Sequence, residues 1–161
     1  ELTNFSGWAL FCDSDIIFLD DVKELFDQAD DKYAVMCVKH DYAPKEGIKM
    51  DGQTQTVYPR KNWSSVMLFN CAHPSNAKLN MDLVNEPEIN GAYLHRFSWL
   101  TDEEIGDLSY EWNFLVGHYK DGSPKALHYT EGGPWFENYR NCEFHTEWKQ
   151  ELQDMMNDSN K

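Results

Sequence analysis

Basic residues are scarce in this 161-residue chain, because lysine and arginine number 14 against 28 aspartates and glutamates. The resulting formal net charge of −14 at pH 7 opposes the binding of a phosphate backbone, and nucleic acid is therefore not an expected partner. A nucleotide is still compatible with this charge where a divalent cation screens its phosphates.

Long apolar runs and paired cysteines are also missing. No stretch approaches the roughly 18 consecutive apolar residues of a membrane span, and no basic segment followed by an apolar one marks a signal peptide. The four cysteines form no C-x-x-C pair, which argues against a zinc ribbon or a redox motif. Three of them lie in apolar runs and are expected to be thiols in a reducing compartment. We therefore expect a cytoplasmic protein without a membrane span.

The apolar pattern that is present indicates a single α/β domain over residues 1–161. Strands are predicted at Trp8–Cys12, Tyr33–Val38, Gln55–Tyr58, Ser64–Cys71 and Lys125–Thr130. Between the first two strands, a helix capped by Asp20 or Asp21 carries its apolar residues on one face. This strand–helix–strand order favours a layered α/β fold.

The rest of the chain is less regular. Helices are predicted at Met81–Val84, capped by Asn80, at Gly91–Leu100, and in a tail over 147–161 that frays at its end. Residues Lys39–Gln53 are polar, contain proline and glycine, and are predicted to form a long surface loop.

The D-x-D pair Asp13 and Asp15 directly follows the first apolar strand. Because α/β sheets bind ligands at the carboxyl ends of their strands, two carboxylates at this place predict a divalent-cation site. The alternative is that both acids merely cap the helix that follows.

Three further clusters occur downstream, and the four together need one explanation. They are Asn62–Asn70 (NWSSVMLFN), Asp102–Ile105 (DEEI) followed by Glu111–Asn113 (EWN), and His128–Trp135 (HYTEGGPW). In this order and spacing, the four clusters resemble the retaining nucleotide-sugar transferases of glycosyltransferase family 8, the glycogenin and lipopolysaccharide galactosyltransferase type. The resemblance covers the chain from Gly7 to about Tyr139.

That resemblance implies a partial GT-A fold, a Rossmann-like mixed sheet with flanking helices. It also implies metal-dependent, retaining transfer of a hexose from a UDP-sugar to a glycan or lipid-linked saccharide acceptor. Asp13, Asp15 and His128 match the family's ligands for Mn²⁺ or Mg²⁺. An imidazole among carboxylates favours Mn²⁺, and the ion would neutralise charge on the departing diphosphate.

Other positions match the family less directly, and each has an alternative structural explanation. Asp102 and Glu103 match the place where the family carries an acid–amide pair that faces the reacting sugar, although they are also suited to a helix start. Ser64 and Ser65 could bind donor hydroxyls or simply begin a strand. Gly132 and Gly133 could let the backbone approach the diphosphate or form an ordinary turn.

The chain departs from the family pattern in two places. The family has a glycine three residues after the histidine and a lysine before Pro-Trp, where this chain has Glu131 and Gly133. Family members also have roughly a hundred residues before the D-x-D that build the nucleotide pocket. We therefore expect an N-terminally truncated form of the fold. It is either a C-terminal fragment, a split product whose partner supplies the nucleotide-binding half, or a reduced relative that has lost donor binding. A homo-oligomer or a partner chain would cover the sheet edges and apolar faces that such a truncation exposes.

Two other functions compete with the hexosyltransferase. The first is a non-catalytic carbohydrate-binding or assembly module, suggested by the missing nucleotide-binding half and by the aromatic side chains near the C-terminus. The second is a metal-dependent hydrolase built on the same acids, which lacks an evident pair of nucleophile and general base.

Overall fold

The computed structural model describes residues 3–41, 47–48, 54–55 and 59–159. Its strands are β1 Trp8–Cys12, β2 Ile16–Phe18, β3 Val35–Cys37, β4 Gly47–Ile48, β5 Thr54–Gln55, β6 Val66–Asn70, β7 Ile105–Asp107, β8 Phe114–Leu115 and β9 Ala126–His128. The strands alternate with helices along the chain, so the fold is of the mixed α/β class that the sequence predicts.

The helices are short except for the last one. They are α1 Val22–Phe26, α2 Met81–Val84, α3 Gly91–His95 and α4 His145–Asp158, with 3₁₀ helices at Trp63–Ser65, Pro74–Lys78, Asp102–Glu104, Tyr110–Asn113 and Glu137–Tyr139. Within the described ranges, none of the helices has both the length and the apolar character needed to cross a bilayer.

The main sheet has the strand order β1-β6-β3-β7. Strand β6 is antiparallel to both β1 and β3, whereas β3 and β7 are parallel. Strands β1, β3 and β7 therefore run in one direction, and their carboxyl ends lie at the same edge of the sheet. Strand β6 lies between β1 and β3, so the predicted strand–helix–strand unit does not consist of neighbouring strands.

Apolar side chains cover both faces of this sheet. Successive residues of a strand point to opposite faces, and in β3 Met36 packs with Leu25 of α1 while Val35 and Cys37 pack with Phe97. Burial on both faces explains why β3 reads in the sequence as a continuous apolar run. The sheet is thus the middle layer between two apolar cores.

A smaller sheet with the order β2-β9-β8 lies beside the main one. Strand β9 is antiparallel to β2 and parallel to β8. Leu127 of β9 and Tyr129, just after this strand, form a third core with Phe114, against which Trp148 of α4 packs. Helix α4 therefore covers this second sheet, in the region where the sequence predicts a helical tail.

Several local predictions are confirmed and others need correction. Asp21 caps α1 and Asn80 caps α2, each by accepting a hydrogen bond from a backbone N–H group of the first turn. The helix predicted over Gly91–Leu100 ends at His95. Strands β2, β4, β7 and β8 have no counterpart among the predicted strands, and β4 falls within the predicted loop 39–53. Most of the predicted loop 39–53 and residues 56–58 of a predicted strand lie outside the described residues.

All four cysteines are free thiols. Cys37 is fully buried in β3, and burial raises the pKa of its thiol to about 12. Cys12, at the end of β1, is exposed.

Candidate metal and sugar-nucleotide site

The D-x-D segment joins the two sheets. Asp13 follows β1, and its backbone N–H donates a hydrogen bond to the carbonyl of Ser65 at 2.8 Å. Asp15 precedes β2, and its carbonyl accepts a hydrogen bond from the N–H of Tyr129 at 3.1 Å. Both aspartates are half-buried. Backbone hydrogen bonds to two different sheets therefore fix the positions of both acids.

His128 ends β9, the central strand of the second sheet, and is almost completely buried. Its Nε2 lies 3.6 Å from Oδ2 of Asp15. One ligand atom from each of Asp13, Asp15 and His128 lies within 4.8 Å of the other two. The three residues predicted to bind a metal are thus brought together at one point.

These three side chains suit a divalent cation. Ligand atoms bound at about 2.2 Å to one ion lie about 3 to 4.4 Å apart, so only a small inward movement would close this group around an ion. Two carboxylates neutralise the charge of the ion, and the imidazole adds a nitrogen ligand that transition metals accept readily.

A cavity of about 160 Å³ opens beside the three side chains. Its remaining walls are formed by Asn62, Ser64, Ser65, His95 and Thr130. All of these side chains are polar, so the cavity offers hydrogen bonds rather than an apolar surface. The predicted donor-binding residues Ser64 and Ser65 therefore border the same space as the acids.

Ser64 and His95 are paired within the cavity wall. Oγ of Ser64 lies 2.9 Å from Nδ1 of His95, which is the last residue of α3. His95 was not a sequence candidate, because an exposed histidine at a helix end carries no pattern. The pair places a hydroxyl and an imidazole where hydroxyl groups of a ligand could bind.

Buried polar residues surround His128. Nδ1 of His128 lies 2.9 Å from Oδ1 of Asn113, which is fully buried. His40 is also buried, and its Nδ1 lies 2.7 Å from the hydroxyl of Tyr119. Burial, with a smaller contribution from His128, lowers the pKa of His40 from 6.5 to about 3. His40 is therefore neutral at physiological pH and adds no positive charge near the acids.

Asp102 and Glu103 do not line this cavity. They lie in the 3₁₀ helix that directly precedes β7. Strand β7 begins at one edge of the main sheet, and Asp13 lies at the opposite edge, where β1 ends. Thr101 and Glu104 form a capping box around this helix, and the exposed carboxylate of Asp102 forms an ion pair with Arg60. The contacts of this segment are those of a helix start.

Gly132 and Gly133 form a turn after β9. Gly132 has a φ of +136°, which favours glycine, and its N–H donates to the carbonyl of Tyr129 at 2.9 Å. A Cβ at Gly133 would lie 2.1 Å from Cζ3 of Trp135. Packing of the Trp135 ring therefore explains Gly133 without a ligand, and a contact with phosphate stays a prediction.

The chain is similar to a curated plant protein and to a solved glycosyltransferase structure. No family model matches the chain. The chain is 54% identical over 167 aligned residues to the protein named CDI of Arabidopsis thaliana, and the match covers all of this chain and 64% of that protein. The chain thus spans less than two thirds of the length of this curated relative.

The fold is similar to that of the glycosyltransferase GlyE of Streptococcus pneumoniae TIGR4. The TM-score is 0.58 and the identity is 16%, over 89% of this chain and 38% of that one. The chain therefore has a glycosyltransferase-like fold, and the predicted fold class is confirmed.

Proposed function

We propose that this chain carries the cation site and part of the sugar site of a metal-dependent hexosyltransferase. The reaction proposed is transfer of a hexose from a UDP-sugar to a saccharide acceptor with retention of configuration, as in glycosyltransferase family 8. The supporting observation is that Asp13, Asp15 and His128 converge within 4.8 Å in a glycosyltransferase-like fold.

The proposed cation is Mn²⁺ or Mg²⁺, held by the two carboxylates and Nε2 of His128. When bound, such an ion supplies positive charge that stabilises the diphosphate leaving group. The chain's own residues hold this position through the backbone contacts of Asp13 and Asp15 with the two sheets. A site fixed in this way needs little rearrangement before a ligand arrives.

The sugar is proposed to lie against Ser64 and His95. Both are polar, they border the cavity beside the acids, and their hydrogen bond presents an adjustable donor and acceptor pair. Hydroxyl groups of a hexose require partners of this kind. Asp102 and Glu103 do not border this cavity, so we assign them no contact with the sugar here.

The cavity is too small for the complete donor. Sites for ligands of this size commonly enclose about 300 to 1,000 Å³, compared with about 160 Å³ here. We therefore propose that further residues, either of the same protein or of a second chain, complete the pocket for uridine. A homo-oligomer and a partner chain are both compatible with this requirement.

The test is calorimetric titration of the full-length protein with Mn²⁺, and then with UDP in the presence of Mn²⁺. We expect the wild type to bind both and the Asp13→Asn/Asp15→Asn variant to bind neither. The matched control is Glu151→Gln/Asp154→Asn, which removes the same charge from the exposed side of α4 and should behave as wild type. Equal binding by all three proteins would contradict the proposed function.

A second measurement separates the transferase from a carbohydrate-binding module. The ring of Trp135 is 42% exposed and packs beside Trp148, so an aromatic platform for saccharides is available. A glycan array is probed with and without EDTA, and hydrolysis of UDP-hexoses is followed in parallel. Saccharide binding that survives EDTA, without UDP release from any donor, would favour the module.

A further inference from the structure

The side chain of Asn113 is fully buried between His128 and Asn62. Its Nδ2 donates a hydrogen bond to the backbone carbonyl of Asn62 at 3.0 Å, and its Oδ1 lies 2.9 Å from Nδ1 of His128. One carboxamide thus connects a backbone carbonyl to a proposed metal ligand.

The chemistry of these groups fixes the direction of both hydrogen bonds. A backbone carbonyl can only accept, so the NH₂ group of Asn113 must face Asn62 and its oxygen must face His128. Because that oxygen also only accepts, Nδ1 of His128 must carry a proton. Neutral His128 is therefore the Nδ1–H tautomer, with the lone pair on Nε2.

That lone pair points to the acids. Nε2 lies 3.6 Å from Oδ2 of Asp15, so with neutral His128 two atoms that can only accept face each other across a short gap. Such an arrangement is favourable when a cation lies between the two atoms.

Asn62 is itself held in place. Its backbone is in the left-handed region with a φ of +62°, and its side-chain Nδ2 donates to Oγ1 of Thr130 at 3.2 Å. The carbonyl that orients Asn113 is therefore fixed both by the backbone turn and by a contact to the chain just after β9.

We propose that Asn113 is a positioning residue that selects the Nδ1–H tautomer of His128 and so keeps Nε2 available as a ligand, an inference that rests on the proposed metal site. Asn113 itself touches neither the ion nor the substrate in this arrangement. Partners of this kind typically change metal affinity by about 10- to 100-fold when they are removed.

The first measurement needs no metal. Long-range ¹⁵N–¹H correlation spectra of the ion-free, full-length protein at pH 8 report which nitrogen of His128 carries the proton. We expect the Nδ1–H tautomer in the wild type and in Asn113→Asp, which keeps an oxygen acceptor. In Asn113→Leu, which has none, we expect the Nε2–H form to appear. An Nε2–H tautomer in the wild type would overturn the inference.

The second measurement is Mn²⁺ affinity by calorimetry at a temperature where every variant is folded. We expect binding to weaken about 10- to 100-fold in Asn113→Leu and to recover substantially in Asn113→Asp. Leu25→Ala, a buried change in α1, is the control for loss of stability alone and should bind as wild type. Unchanged affinity in Asn113→Leu would overturn this inference only, whereas a wild type that fails to bind Mn²⁺ would overturn the proposed function.

Discussion

Ile16 lies directly opposite His128 in the antiparallel pair of β2 and β9. The residue before Ile16 is Asp15, whose carbonyl accepts the N–H of Tyr129, so the separation of Asp15 and His128 is set by backbone pairing. Residues more than a hundred positions apart in the sequence are thus held together by a sheet ladder. We expect this arrangement to be present before any ion binds.

Replacing His128 should change which ion the site prefers. In His128→Ala the two carboxylates remain, and they suit Mg²⁺ as well as Mn²⁺, whereas the nitrogen ligand that favours a transition metal is lost. We expect Mn²⁺ affinity to fall by at least about tenfold and Mg²⁺ affinity to change by less than about threefold. Titrations with each ion check this, and an equal loss for both would contradict it.

The hydrogen bond between Ser64 and His95 should make their contributions to donor binding interdependent. We expect Ser64→Ala and His95→Ala each to weaken UDP-hexose binding by about three- to tenfold, the worth of one hydrogen bond. The double variant should lose less than the sum, because each single change already removes the shared contact. Strict additivity in calorimetric titrations would contradict the pairing, and Ser98→Ala, on the exposed surface, is the control.

His40 should make the protein less stable in acid. Because its pKa is lowered to about 3 in the folded state, only the unfolded state binds its proton between about pH 6.5 and 3. Below about pH 6, His40 should therefore lower the free energy of unfolding by about 1.4 kcal/mol for each pH unit.

The effect is isolated by comparing wild type with His40→Asn, which cannot titrate, in urea unfolding at pH 7, 6 and 5. The difference in stability between the two proteins should shift in favour of the variant as the pH falls. If the free energies of unfolding of the two proteins change equally with pH, then His40 accepts a proton in the folded protein and the prediction is wrong.

Asn76 should be important for stability and not for the site. It is buried, its Nδ2 donates to the carbonyls of Ala34 and Asn70 at 2.8 Å each, and its Oδ1 accepts from Nε1 of Trp99 at 3.0 Å. Asn76→Leu removes all three hydrogen bonds and leaves Nε1 of the buried Trp99 without this acceptor, at a cost of about 2–4 kcal/mol. Chemical denaturation measures this, and Asn141→Ala, at an exposed position, should cost less than about 0.5 kcal/mol.

The sequence predicted those parts of the site that follow long apolar strands. Strand β1 and its two acids were evident from the apolar run before them, whereas the roles of Ser64 and Ser65, which precede β6, came from the family resemblance. The place of His128 as a third ligand came from the family resemblance alone. Strand β2 has three residues and β7 contains a glycine, so their pairing with distant strands leaves no local periodicity.

The helix predicted over Gly91–Leu100 shows where an apolar pattern misleads. Leu94 and Phe97 have helical spacing, but Phe97 adopts a φ of +50°, which a helix cannot contain, and its ring fills the core beneath β3. Tertiary packing of one aromatic ring thus ends the helix at His95 and so places that imidazole at the cavity.

The left-handed backbone at Asn62 limits how this protein can evolve. A β-branched residue at 62 would be strained there, and the movement of its carbonyl would release Asn113 and with it His128. Substitutions at positions 62, 113 and 130 should consequently be correlated among homologues. Homologues that lack a histidine at position 128 should vary at all three positions, whereas homologues that retain it should not.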